Sequence, residues 1–118
     1  MINRATASRL VSDLPDAELT PMIELYLSES AANRAAIEAA VSEGDLQGLN
    51  YHVHKEASSS LIFGLEDYGN YLREIEAKIK DGAFSLSQFD LKELSGLAES
   101  AQFALRSFFD TAAAEPSV

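Results

Sequence analysis

The distribution of proline constrains this chain more than any other feature. Its three prolines, Pro15, Pro21 and Pro116, all lie near the ends, so most of the chain contains no proline that would break a helix. Hydrophobic residues make up 47% and aromatic residues 8% of the 118 residues. The chain is rich in alanine, leucine and glutamate and poor in the β-branched and aromatic runs that strands favour. We therefore expect one helical domain with a single core.

Capping residues and glycines divide the chain into five predicted helices. Thr20 is the expected N-cap of a long second helix, with Pro21 at its first position. Asp45 is the expected N-cap of the third helix. Ser87 is expected to begin the last helix, with Asp90 three residues later in a variant of the capping box. The predicted helices are residues 6–14, 21–43, 46–60, 65–80 and 88–110, and residues 111–118 are expected to be flexible.

Hydrophobic spacing indicates how these helices pack. In the last two helices, apolar residues recur at steps of three and four, which is the pattern of a seam between packed helices. Short connections make neighbouring helices antiparallel. We therefore predict an all-α, up-down four-helix bundle with a short additional N-terminal helix, free-standing over residues 1–118. The expected inward residues are Leu46, Leu49 and Val53, then Leu65, Tyr68, Leu72, Ile75 and Ile79, then Leu91, Leu94, Ala98, Ala101, Leu105 and Phe108.

Charge and composition exclude several classes of function. The net charge is −10, from 19 acidic and 9 basic residues, so we expect no nucleic acid as partner. Without cysteine there are no disulfides and no thiolate metal sites. Neither a signal peptide nor a membrane span is recognisable, and we expect a cytoplasmic protein without membrane contact. The carboxylates of the fourth helix alternate with Arg73, Lys78 and Lys80, which is typical of a solvated, salt-bridged face.

One histidine remains as a candidate for chemistry. His54 lies in the middle of a predicted helix that Gly64 ends. Ala57 and Ser58 follow three and four residues later, so they share its face of the helix and their small size leaves the imidazole accessible. His52 is two residues away, on nearly the opposite side, so the two rings cannot hold one metal ion. An ordinary surface histidine is the competing interpretation.

The segment around His54 resembles a histidine-containing phosphotransfer (HPt) domain. Proteins of this family are four-helix bundles that carry phosphoryl groups between receiver domains. The resemblance implies that His54 accepts a phosphoryl group from a receiver aspartate and passes it on in a two-component phosphorelay. The matching positions are Asp45, Leu49 and Val53 before the histidine, Ser59, Ser60 and Gly64 after it, and Leu65, Tyr68, Tyr71, Leu72, Ile75 and Glu76 in the next helix.

The resemblance also implies the partners. These are a response-regulator receiver domain and a histidine kinase or hybrid kinase, with magnesium on the receiver only and no cofactor on this chain. The protein would act as a monomeric phosphoryl carrier rather than as a turnover enzyme. Tyr51 and Leu61 are large apolar groups, as a transient interface would use. The expected supporting and docking residues are Asn50, Tyr51, Lys55, Ala57, Ser58 and Leu61.

Departures from the family pattern leave a second interpretation open. The family usually has a lysine three residues and a glycine four residues after the histidine, where this chain has Ala57 and Ser58. Lys55 points about 100° away around the helix and does not replace that lysine. The alternative is a degenerate HPt-like module that binds a receiver or kinase without transferring phosphate. Glu56 replaces an apolar residue, and we expect it at the seam edge or beside a basic partner.

Two further interpretations fit less well. A register with His52 as acceptor would make Lys55 the family lysine. It would place Glu56 at the family's glycine position and Ile62 at the position of the helix-ending glycine. It would also shift the fourth helix out of phase with the family pattern. A self-associating structural bundle would need a continuous apolar stripe on the outer face, which the sequence does not show.

Overall fold

The computed structural model describes residues 2–13 and 16–114, and it is helical throughout its regular elements. Within these ranges no residue forms a β-strand, which confirms the predicted all-α class. None of the helices, as far as they are described, is both long and apolar enough to cross a membrane. The helices are α1 (Arg4–Asp13), α2 (Asp16–Glu43), α3 (Leu46–Ile62), α4 (Glu66–Lys80) and α5 (Leu91–Ala114), with a 3₁₀ turn at Leu86–Gln88.

The N-terminus of α1 is attached to the turn between α3 and α4. Asn3 caps α1, since its Oδ1 accepts the amide hydrogen of Thr6 at 3.1 Å. The helix therefore begins at Arg4, earlier than predicted. The backbone amide of Asn3 donates to the carbonyl of Gly64, and its Nδ2 donates to Glu66 Oε1 at 2.6 Å. One residue thus both starts α1 and fixes it to the rest of the fold.

α2 also begins earlier than predicted. It starts at Asp16 and contains Pro21, so the predicted N-cap at Thr20 is wrong. The helix continues through Pro21, which lacks an amide hydrogen and so leaves one carbonyl without its intrahelical bond. Leu19 is buried, so packing holds this first part of the helix against the core.

α5 begins later than predicted. Asp90 Oδ1 accepts the amide hydrogens of the residues two and three positions further on, each at 3.0 Å, so Asp90 rather than Ser87 is the N-cap. Ser87 lies in the preceding 3₁₀ turn. The helix continues to Ala114, so residues 111–114 of the predicted flexible tail are helical. Residues 115–118 lie outside the described part of the chain.

α3 packs between α2 and α4, and both of these pairs are antiparallel. Along each pair, the residue numbers of the contacts rise on one helix as they fall on the other. α5 contacts α2 and α4, and α1 contacts α2. The hydrogen-bonded pairs that show the direction are Tyr26–Ser60 and Ser30–Glu56 between α2 and α3, and His54–Glu76 and Ser58–Arg73 between α3 and α4.

The core follows the predicted apolar stripes, with four exceptions, of which Ile79 and Leu91 are only partly buried. Leu46 is 39% exposed rather than inward, because it is the first residue of α3 and lies at the end of the packed region. On α5, Phe109 is buried and Phe108 is only partly so. The buried residues that confirm the stripes are Leu49, Val53, Leu65, Tyr68, Leu72, Ile75, Leu94, Ala98, Ala101 and Leu105.

Candidate functional site

His54 lies at the border between the buried and exposed sides of α3. Asp45 begins the helix by accepting the amide hydrogen of Gly48 at 2.9 Å, as predicted for an N-cap. Val53 points into the core, and the next residue, His54, lies further around the helix toward α4. The side chain of His54 is 58% exposed. The imidazole is therefore accessible, while the backbone of His54 is held in the helix α3.

Glu76 of α4 orients the ring of His54. His54 Nδ1 and Glu76 Oε2 form a hydrogen bond. An ionised carboxylate can only accept, so we assign the ring hydrogen to Nδ1. Nε2 then carries a free lone pair in the neutral ring. This is the arrangement of a nucleophile held by an orienting group.

Arg73 joins the site from the same face of α4. Its Nη1 donates to Glu76 Oε1 at 2.8 Å, and its Nη2 donates to Ser58 Oγ at 2.9 Å. Nη1 also lies 3.0 Å from His54 Nδ1, and with the ring hydrogen on Nδ1 both groups are donors, so this is a contact and not a hydrogen bond. The guanidinium therefore bridges α3 and α4 beside the imidazole.

Arg73 is the functional candidate that the sequence reasoning missed, because it was assigned to a solvated face. The available signal was its spacing from Glu76. Residues three apart share a helix face. Glu76 was already matched to the family pattern, so its neighbour on that face also points toward α3.

The carboxylate of Glu76 is set up to remain an acceptor. Burial raises the pKa of Glu76, but the hydrogen bonds from Arg73 and His54 outweigh this effect and lower that pKa below its ordinary value. Glu76 is therefore ionised at neutral pH and accepts the Nδ1 hydrogen of His54.

The predicted supporting residues occupy different environments. Tyr51 is 59% exposed, and the ammonium of the exposed Lys55 lies 5.8 Å from the centre of its ring. Ser58 is half-buried and accepts a hydrogen bond from Arg73. Ala57 is completely buried in the core. Ala57 therefore offers no surface to a partner, contrary to the prediction, because its side of α3 packs inward.

Leu61 lies against α4 and Asn50 is half-buried, so neither stands free on the surface. A Cβ added at Gly69 of α4 would lie only 2.6 Å from Leu61 Cγ, so the half-buried Leu61 packs over this glycine. Asn50 is also half-buried, and its Oδ1 has no hydrogen-bond partner among the described residues. Ile62 is 56% exposed, and its distance of eleven residues from Tyr51 places both on the outward side of α3.

His52 is not part of this site. Its ring lies edge-on to Tyr51, with the ring centres 5.0 Å apart. Its Nδ1 is buried and has no hydrogen-bond partner within the described ranges, so no carboxylate orients this ring as Glu76 orients His54.

A buried carboxylate lies on the core side of the same helix. Glu56 is completely buried and accepts hydrogen bonds from Ser30 Oγ and from Tyr68 OH, the latter at 2.8 Å. Asn33 Nδ2 makes a longer contact of 3.4 Å. The prediction of a seam-edge position or a basic partner is therefore wrong, because neutral donors from two helices satisfy this carboxylate.

The serines that follow His54 are engaged elsewhere. Ser59 Oγ donates to the backbone oxygen of Lys55 at 3.0 Å, and Ser60 Oγ is 2.8 Å from the Tyr26 hydroxyl. Across residues 2–13 and 16–114, no cluster of three or more histidine, aspartate or glutamate side chains could hold a metal ion. The accessible Nε2 of His54 is thus the best-prepared nucleophile of the site.

Comparison of the chain with protein-family models, with curated proteins and with solved structures finds no match. Function must therefore be inferred from the side chains and their geometry.

Proposed function

We propose that the protein is an HPt protein that accepts a phosphoryl group on His54 from a receiver-domain aspartate and passes it on in a two-component phosphorelay. The observation that carries this proposal is the exposed imidazole of His54, whose Nδ1 is bonded to Glu76 while Nε2 is free. The resemblance of the sequence around His54 to the HPt family supports the same assignment.

The chemistry uses the free lone pair of His54. Nε2 attacks the phosphorus of the aspartyl phosphate, and a nitrogen–phosphorus bond forms. The bond from phosphorus to the aspartate oxygen breaks, and the carboxylate leaves with the electron pair. The Nδ1 hydrogen stays on the ring, where Glu76 stabilises the positive charge that develops. Attack by a second receiver's aspartate on the same phosphorus reverses these steps, and in this proposal magnesium belongs to the receiver.

The packing of the helices supports an up-down four-helix bundle with α1 as an additional helix. α3 is antiparallel to both α2 and α4, and α5 contacts α2 and α4. Such a bundle leaves the outward side of α3 open to a partner. We place the protein in the cytoplasm as a monomer that works with a receiver domain and a histidine kinase or hybrid kinase.

The receiver is proposed to bind the docking face, which we define as His54, Tyr51, Lys55, Ser58 and Ile62. Tyr51 and Ile62 are 59% and 56% exposed and supply apolar contact area on either side of the histidine along α3. Substitution of either residue tests docking without disturbing the core. Leu61 is a poorer choice because it packs on Gly69.

Phosphotransfer from a panel of phosphorylated receiver domains tests the proposal. We expect acid-labile label on the wild type and none on His54→Gln, while the control His52→Gln is labelled normally. Label that persists in His54→Gln would show that another residue is the acceptor. Failure of every donor to label the wild type would overturn phosphotransfer.

One observation favours the alternative of a degenerate HPt-like module that binds without transferring. The guanidinium of Arg73 is already engaged by Glu76 and Ser58, so in this state it is not free for a phosphoryl group. Binding of a receiver by the docking face in the absence of any labelling would support this alternative.

A further inference from the structure

The product of the proposed reaction needs a cation that α3 does not supply. A phosphoryl group carries about −1.5 to −2 charges at neutral pH. The family's usual lysine position is Ala57, which is buried and apolar. Lys55 lies on the outward side of α3, beside the ring of Tyr51. The guanidinium that lies closest to the imidazole comes instead from α4.

We propose that Arg73 is the phosphoryl-binding residue of this site. When His54 is phosphorylated, Arg73 Nη2 leaves Ser58 Oγ and donates to a phosphoryl oxygen, while Nη1 keeps its bond to Glu76. This inference rests on the proposed function, because it concerns the phosphorylated form of His54.

The position of Arg73 supports this role. Its Nη1 lies 3.0 Å from His54 Nδ1, so the guanidinium is already at the edge of the ring. Its side chain is 36% exposed and that of His54 is 58% exposed, so Nη2 has room to leave Ser58 for a group on the imidazole. Its anchor, the 2.8 Å bond from Nη1 to Glu76, uses the other terminal nitrogen and does not have to break when Nη2 changes partner.

The exchange of partners is favourable in energy. In the unphosphorylated state Arg73 Nη2 is bonded to the neutral hydroxyl of Ser58. Both bonds use the charged guanidinium, but the phosphoryl group also carries about −1.5 to −2 charges, so it attracts Arg73 more strongly than a neutral hydroxyl does. Arginine also presents several N–H donors in a planar fork that matches phosphoryl oxygens. A phosphoryl group therefore outcompetes Ser58 for this guanidinium.

A small phosphodonor tests the inference without any receiver. In phosphoramidate, Nε2 of His54 attacks phosphorus, a nitrogen–phosphorus bond forms, and the donor's own phosphorus–nitrogen bond breaks to release ammonia. The full chain is followed by ¹⁵N spectra of arginine side chains and by ³¹P spectra over a pH titration. Free imidazole in a parallel tube shows that the donor is active.

We expect phosphorylation to move the Arg73 side-chain resonance. In Arg73→Gln, we expect the phosphoryl group to bind its last proton about tenfold more tightly than in the wild type, because a nearby cation favours the dianion. Arg73→Lys should restore part of the difference, and Lys55→Ala should match the wild type.

The possible failures are distinguishable. A phosphorylated His54 with an unmoved Arg73 resonance and an unchanged ³¹P titration in Arg73→Gln overturns the role of Arg73 but leaves the proposed function intact. A ³¹P titration that changes only in Lys55→Ala would likewise overturn the role of Arg73 and leave the proposed function intact. No phosphohistidine in the wild type, with imidazole labelled in parallel, overturns both. If Arg73→Gln does not fold, the wild-type resonance change decides.

Discussion

The hydroxyl of Tyr68 donates a hydrogen bond of 2.8 Å to the buried carboxylate of Glu56, which joins α4 to α3 inside the core. Ser30 of α2 donates to the same carboxylate oxygen. One side chain therefore ties three helices together at one level. Because Glu56 lies two residues from His54, these bonds also fix the rotation of α3 that turns His54 toward solvent and α4.

We expect Glu56→Gln to lower the free energy of unfolding by about 1–3 kcal/mol. The amide keeps the size of the side chain, but it replaces a charged acceptor and turns an NH₂ group toward other donors. Denaturant unfolding followed by circular dichroism measures the change. Glu74→Gln, on the exposed face of α4, is the matched control and should stay within about 0.5 kcal/mol of the wild type. Equal effects of the two substitutions would contradict the importance of the network.

This network shows what could and could not be predicted from sequence. The helices and most core residues follow from local spacing, so they could be predicted. Ser30 and Asn33 visibly interrupt the apolar stripe of α2, and Glu56 interrupts that of α3. Their contact depends on the register between two helices, which no local pattern determines. The two interruptions, considered together, were the signal for a shared buried polar cluster.

The candidate site could be predicted only in part, because its contacts also depend on the register between helices. His54 and Glu76 were both identified from the resemblance, but their hydrogen bond depends on the packing of α3 against α4. Ala57 was assigned to the exposed face because sequence spacing alone does not show how far around α3 the core extends. The predicted first residues of α1 and α5 were wrong because the capping side chains were not identified from sequence. Asn3 and Asp90 provide these caps by accepting the amide hydrogens of residues three positions further on.

Glu76→Gln should slow phosphoryl acceptance by His54. An amide can turn its NH₂ toward Nδ1 and move the ring hydrogen to Nε2, which would block the nucleophile. Loss of the group that orients a metal-binding histidine typically costs about 10- to 100-fold, and we expect a loss of similar size in the labelling rate here. The rate of labelling by phosphoramidate measures this, with Glu74→Gln as the control. A wild-type rate in Glu76→Gln would show that the carboxylate does not orient the ring for reaction.

Gly64→Ala should destabilise the protein more than Gly44→Ala. Both glycines have positive φ, +79° and +70°, where an L-residue costs about 1–2 kcal/mol. A Cβ at Gly64 would also lie 2.7 Å from the backbone oxygen of Asn3, whereas one at Gly44 meets nothing within 4 Å. Hydrogen exchange of the α1 amides should accelerate only in Gly64→Ala. Equal unfolding free energies would argue against the attachment of α1 at this turn.

Gly69→Ala and Gly96→Ala should have opposite effects on stability. A Cβ at Gly69 would lie 2.6 Å from Leu61, and such overpacking costs about 1–3 kcal/mol. Gly96 lies within α5 with nothing within 4 Å of an added Cβ, so alanine there should stabilise by about 0.5–1 kcal/mol. In a Leu61→Ala background, Gly69→Ala should lose most of its cost. An unchanged cost in that background would show that Leu61 is not the obstacle.

The stability of the protein should decline in alkali before the buried Tyr26 and Tyr68 and the half-buried Tyr71 ionise in the folded state. Burial raises the pKa of Tyr26 and Tyr71 to about 12 and raises that of Tyr68 as well. The negative charge of Glu56 adds to the increase for Tyr26 and Tyr68. In the unfolded chain these hydroxyls ionise near pH 10. Above that pH the unfolded state releases protons first, so the fold loses stability as the pH rises toward the folded pKa values.

Unfolding free energies measured across this range test the tyrosine linkage. We expect a steep fall from about pH 10 upward in the wild type. Tyr68→Phe should be less stable at neutral pH, because Glu56 loses a donor, yet its stability should fall less steeply in alkali. The slope separates the two effects, since only a group that titrates differently in the folded and unfolded states changes it. An identical slope in wild type and Tyr68→Phe would mean that the Tyr68 hydroxyl is not protected by the core.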